Sequence, residues 1–133
     1  MEGNKKKILI VDDDGFLLDM YAFKFSQRNF EVYTAPDGLQ SLTKIKEGVI
    51  PDVILMDIMM PGMDGFEALK RMQDESLCPN AVKIILSNRS QHGDIEQGKS
   101  LGVTGYIVKA NSTPAEVVDQ VAKVLEDRVV IPK

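Results

Sequence analysis

The chain holds one cysteine, Cys78, and one histidine, His92, among 133 residues. A lone thiol excludes an internal disulfide and a cysteine zinc site. A lone imidazole has no second one with which to share a metal or a proton, so His92 marks no site by itself. Basic charge is not in excess. Sixteen Lys and Arg against 20 Asp and Glu leave a net charge of -4, which argues against a face that binds nucleic acid directly. Long hydrophobic runs are missing too, and none approaches the roughly 20 residues of a membrane span. The basic segment at residues 1–7 meets only four apolar residues, Ile8 to Val11, before a carboxylate, so it does not read as a signal peptide. These absences predict a cytoplasmic protein. What is present is ordinary for a globular chain: 44% apolar and 27% charged residues, too apolar for disorder. The length predicts one domain over residues 1–133, with no room for a separate output domain.

Short apolar runs alternate with helical patterns. Ile8 to Val11, Val53 to Met56, Ile84 to Leu86 and Tyr106 to Val108 are continuous, and Phe30 to Ala35 is a weaker, alternating run. Continuous runs suit parallel strands buried on both faces. Between them, Leu18, Tyr21, Ala22 and Phe25 share one helix face, as do Leu39, Leu42 and Ile45, then Phe66, Leu69 and Met72, then Val117, Val121 and Leu125. Pro114 stands near the start of the last helix. Residues 93–102 make the poorest helix, because only Ile95 and Leu101 are large and apolar and Gly98 interrupts them. The order is βαβαβαβαβα, an α/β fold with helices on both faces of one parallel sheet.

In such sheets ligands bind beyond the carboxyl ends of the strands. The first run ends in Asp12, Asp13 and Asp14, the third in Asp57, the fourth in Ser87 and Asn88, and the fifth in Lys109. Taken singly, an Asp after a strand is most often a cap or loop residue, and Asp14 reads as a cap for the first helix. Together, carboxylates at neighbouring strand ends repel unless a cation sits among them. A hard divalent cation such as Mg²⁺ takes one or two carboxylates plus a phosphate. Lys109 offers that phosphate a point charge, and Ser87 offers a hydroxyl.

The segments ILIVDDD (8–14), DVILMDIMMPGMDG (52–65), IILSN (84–88) and GYIVKA (105–110) resemble the receiver domain of bacterial two-component response regulators. The resemblance covers about residues 6–128. It implies a five-stranded, flavodoxin-like sheet of order 2-1-3-4-5, an order known for this family and not deduced from the pattern. It implies a signalling domain that catalyses only its own phosphorylation and dephosphorylation. Asp57 matches the phospho-acceptor. Asp13 matches the direct carboxylate ligand of Mg²⁺ (or Mn²⁺), Asp12 the one acting through water, and the Met59 backbone carbonyl the third protein ligand. Lys109 matches the phosphate-binding lysine, Ser87 the hydroxyl that bonds the new phosphoryl group, and Tyr106 the aromatic switch residue. The implied donor is a sensor histidine kinase or phosphotransfer protein.

Two positions depart from the family pattern. The lysine is normally followed by proline, often with a cis bond, but here by Ala110; a cis bond before a non-proline costs about 2.5–4 kcal/mol, so a trans bond is expected. The residue after the switch hydroxyl is normally small, but here is Asn88, placed either to restrict access to Asp57 or to bond the phosphoryl group. Met59 and Arg89, two residues after Asp57 and Ser87, are expected with Asn88 to tune the lifetime of the phosphorylated state. The output face is expected on residues 93–125, with Tyr106 rotating into space that Ser87 vacates. The methionines at 56, 59, 60 and 63 read as packing, since Met fills irregular gaps.

Three competing readings share the pattern. A haloacid-dehalogenase-like phosphatase needs a second Asp two residues after the nucleophile, where Met59 cannot donate a proton. A flavodoxin-like electron carrier needs a loop after the first strand that welcomes FMN phosphate, and three aspartates repel it. A receiver-like module that only binds proteins would not need the acids, Ser87 and Lys109 together.

Overall fold

The computed structural model describes residues 5–88 and 92–128. Five strands, β1 (Lys7–Val11), β2 (Glu31–Ala35), β3 (Val53–Met56), β4 (Val82–Ser87) and β5 (Gly105–Val108), alternate with α1 (Gly15–Gln27), α2 (Gly38–Lys46), α3 (Gly65–Asp74), α4 (His92–Ser100) and α5 (Pro114–Arg128). A 3-10 turn, Lys109–Asn111, separates β5 from α5. All pairings are parallel and the order is β2-β1-β3-β4-β5, as the resemblance implied. Parallel strands put all five carboxyl ends on one rim.

Side chains alternate across a strand, so β1 feeds both layers of the core. Ile8 and Ile10 pack with Leu18, Tyr21 and Phe25 of α1 and Val117 and Val121 of α5. Leu9 and Val11 pack with Leu42 and Ile45 of α2, Leu69 and Met72 of α3, and Ile85 of β4. Each such Leu or Ile contributes about 1.5–3 kcal/mol through burial. Met56 and Met60 are buried in the second layer, which agrees with packing as their role.

Helix starts are capped locally. Asp14, Asp37 and Asp64 accept from the N–H groups of Leu17, Gln40 and Glu67. Thr113 and Glu116 form a reciprocal capping box before α5, and Pro114 opens that helix.

Leu39 departs from its expected stripe and is 59% exposed. At about 100° per residue it lies well round the helix from the buried Gly38, Ser41, Leu42 and Ile45. The poor pattern at residues 93–102 does form a helix. Gly98 there is a contact and not an interruption, because a Cβ on it would stand 3.0 Å from Ile85 Cδ1.

Gly65 is the tightest approach. A Cβ there would lie 2.1 Å from the Asp57 carbonyl oxygen and 2.9 Å from Ile58 Cα, and the Gly65 N–H donates to Ile58 O at 2.9 Å. The glycine lets α3 start against the backbone that carries Asp57. Gly65→Ala is expected to cost about 2–4 kcal/mol of stability, by steric overlap in a packed interior. Urea unfolding checks this, and a loss under about 0.5 kcal/mol, the size of an ordinary surface substitution, would remove the steric account.

Candidate functional site

The rim gathers its charges by continuing the ladder past the strand ends. The Asp12 N–H donates to Ala35 O at 3.2 Å and the Asp57 N–H to Val11 O at 2.9 Å. Asp12 and Asp57 are therefore held on adjacent strands, both buried. Asp12 Oδ1 accepts the Asp14 N–H at 2.9 Å, and Asp57 Oδ1 accepts the Ile58 N–H at 2.9 Å. The second oxygens face Lys109, whose Nζ lies 2.8 Å from Asp12 Oδ2 and 3.4 Å from Asp57 Oδ2. Asp13 is exposed at the mouth.

Asp12, Asp13 and Asp57 each offer a carboxylate oxygen, all within 4.8 Å of one another. Asp12 Oδ2 is fully buried, and although Lys109 pairs with it ionically it makes no aligned hydrogen bond among the described residues. A cluster of three carboxylates offering hard oxygen donors within 4.8 Å of one another fits a hard divalent cation.

Burial pushes the Asp57 carboxyl up to about 6; Lys109 pulls it down and Asp12 pushes it up again. Burial pulls the Lys109 ammonium down, but its bonds and attraction to Asp12 and Asp57 prevail and raise it. Lys109 is thus a fixed positive charge. Tyr21 of α1 has its hydroxyl pKa raised, first by burial, and it also feels Lys109, Asp12, Asp57 and Asp14. The helical pattern marked Tyr21 as core, which it is; nothing in that pattern tied its hydroxyl to the field of the site.

Ser87 is buried at the end of β4, two residues beyond the Met56–Ile85 pair of the β3–β4 register. Tyr106 stands opposite Ile85 on β5, half-buried against the α2–α3 layer. The Met59 side chain is 63% exposed. Asn88 turns its side-chain carbonyl to the Ala110 N–H, at 2.7 Å, a partnership that single-position reading missed. The described residues contain no cis peptide bond, so Lys109–Ala110 is trans, as expected. Arg89 lies outside the described residues, as does the His92 side chain. Cys78 sits in the α3–β4 loop, at the opposite end of the strands. No helix among the described residues is long and apolar enough to cross a membrane.

Comparison with known proteins gives the same frame. The family model of the response regulator receiver domain matches residues 8–122. The DNA-binding response regulator MtrA of Mycobacterium tuberculosis is 31% identical over 121 residues, 91% of this chain and 51% of that protein. The probable transcriptional regulator ycf27 of Cyanophora paradoxa is 35% identical over 125 residues, 94% of this chain and 50% of that one. The chain thus spans about half the length of the curated relatives it matches. Among solved structures, the Vibrio cholerae chemotaxis protein CheY4 superposes with a TM-score of 0.83 at 30% identity, covering 90% of this chain and 98% of that one. A family match from β1 into α5, with a whole solved receiver laid over the same sheet, means that the protein belongs to the response regulator receiver domains, the phospho-accepting signalling domains of two-component systems.

Proposed function

We propose that Asp57 is the residue phosphorylated, that the receiver unit occupies about residues 6–128, and that the donor is the phosphohistidine of a sensor kinase or phosphotransfer protein. The observation that carries this reading is the buried cluster of Asp12, Asp57 and Lys109, with Asp13 at its mouth. An Asp57 carboxylate oxygen attacks the phosphorus, the phosphorus–nitrogen bond breaks, and the imidazole leaves and takes up a proton. The product is an aspartyl phosphate. Asp12, Asp13, Asp57 and the Met59 backbone carbonyl would hold a divalent cation such as Mg²⁺ or Mn²⁺, which when bound would supply positive charge against the phosphoryl oxygens. Lys109 places its ammonium on a phosphoryl oxygen as charge develops, and Ser87 donates its hydroxyl to another. Burial of Asp57 limits water, which ends the signal when it hydrolyses the aspartyl phosphate. Met59, Asn88 and Arg89, close in sequence to Asp57 and Ser87, set the lifetime of the phosphorylated state. The test is incubation with acetyl phosphate: label is expected with Mg²⁺ and not with a chelator, and equal labelling in both would overturn the role of the metal.

Readout is proposed on the face of residues 93–125, towards a protein partner and not directly towards nucleic acid. Ser87 moves to reach the phosphoryl group, Tyr106 on the adjoining strand turns into the space behind it, and α4 shifts. Moving the active fraction from about 1% to 99% needs roughly 5.5 kcal/mol. Charge-assisted bonds at about 1.5–3 kcal/mol each supply most of that. Adding Mg²⁺ and beryllofluoride is expected to move amide resonances across residues 93–125. Changes confined to the neighbours of Asp57 would remove the switch.

A further inference from the structure

The β4–β5 ladder ends where Ser87 stands opposite Val108. Beyond that pair the backbones part. One continues to Asn88, and the other enters the 3-10 turn Lys109–Asn111. The first N–H groups of such a turn have no partner within it, and Val108, the residue before it, gives no side-chain cap. Asn88 fills the gap across the rim, its Oδ1 accepting the Ala110 N–H at 2.7 Å. Because the donor is a backbone amide, only the carbonyl end of Asn88 serves. The bond joins the two positions at which this sequence leaves the family pattern. A small apolar residue at 88 has no acceptor, and a proline at 110 has no N–H. Neither usual residue makes this contact, so each departure supplies what the other needs.

We propose that Asn88 is a positioning residue for Lys109, tying the lysine's turn to the end of β4. The proposal rests on the reading of Asp57 and Lys109 above. Lys109 spans two carboxylates, at 2.8 Å from Asp12 and 3.4 Å from Asp57, and its backbone immediately precedes the tied amide. An untied turn spreads the ammonium over more positions, and small displacements of a positioning group lower a rate without weakening substrate binding. The bond also starts one residue from Ser87, so the hydroxyl and the ammonium that grip the phosphoryl group share one mechanical link.

The test uses the full chain with Mg²⁺, as wild type, Asn88→Ala, Ala110→Pro and the double variant. Both side chains are exposed, so neither change opens a cavity in the core; Ala110→Pro also restrains the Lys109 backbone, which Asn88→Ala does not. Hydrogen exchange at the Ala110 amide needs no phosphorylation, and it is expected to quicken about tenfold in Asn88→Ala, as for the loss of a net bond of about 1.4 kcal/mol. The maximal rate of labelling by acetyl phosphate is expected to fall about fivefold in each single variant, within the worth of one hydrogen bond, with the KM for the donor unchanged. The double variant should be no slower than the slower single one, because both remove the same bond. Unchanged Ala110 exchange, a raised KM with an unchanged maximal rate, or single effects that multiply would overturn the positioning role alone. A wild-type protein that takes no label would overturn the reading of Asp57 and this role with it.

Discussion

Asp57→Asn is expected to abolish phosphorylation and, in the metal-free protein, to make the fold more stable at neutral pH. Loss of labelling follows because an amide is no nucleophile towards phosphorus. The gain in stability follows from the carboxyl's surroundings. Its folded pKa is about 6, against an ordinary value of 3.8, with burial the largest cause. Below pH 3.8 the group is protonated in both folded and unfolded chains and costs nothing. Between pH 3.8 and about 6 the unfolded chain ionises while the folded one keeps its proton, so stability falls; above about 6 the carboxylate is ionised inside the fold as well, beside Asp12, and the cost levels off. One pKa unit is worth about 1.4 kcal/mol, so the ionised group costs the native state about 1–3 kcal/mol at pH 7.5. Urea unfolding in chelator should show Asp57→Asn more stable by that amount at pH 7.5 and equal to wild type at pH 3.5. A variant less stable than wild type at pH 7.5 would contradict the electrostatic account.

Lys109→Ala is expected to slow labelling by acetyl phosphate about 10- to 100-fold. The ammonium is the one side-chain cation within 4.0 Å of Asp12 or Asp57 among the described residues, and a charge-assisted bond is worth about 1.5–3 kcal/mol. Lys109→Arg should recover only part of the rate, since a planar fork does not take the place of a compact ammonium. Stopped-flow or radiolabel kinetics at saturating Mg²⁺ measure this. Rates within twofold of wild type in Lys109→Ala would show that the ammonium does not meet the phosphoryl group.

The fold was legible because its three central strands, β1, β3 and β4, are buried on both faces. Val53 to Met56 is apolar at every position and ends on Asp57, so the element and its terminus are marked together. The rim acids were legible for the same reason: each strand end names the residue it delivers. Contacts between loops were not. Asn88 and Ala110 are 22 positions apart, and each alone reads as a departure from a pattern; only the meeting of β4 and β5 makes them a pair. Gly98 was misjudged because helix propensity counts the missing side chain as a cost of about 1 kcal/mol, whereas Ile85 occupies the space that a side chain would need. Leu39 was placed inside because spacings of three drift round a helix that repeats every 3.6 residues, carrying it off the buried face.

The central claim is that phosphate arrives on Asp57 and on no other residue. Labelling with acetyl phosphate and Mg²⁺, followed by borohydride reduction, turns a phosphoaspartate into homoserine, which peptide mass spectrometry locates. Homoserine at position 57, absent when Mg²⁺ is chelated, is the predicted result. Homoserine at position 12 or 13 in place of 57, or none at all in a protein that has taken up label, would contradict the account.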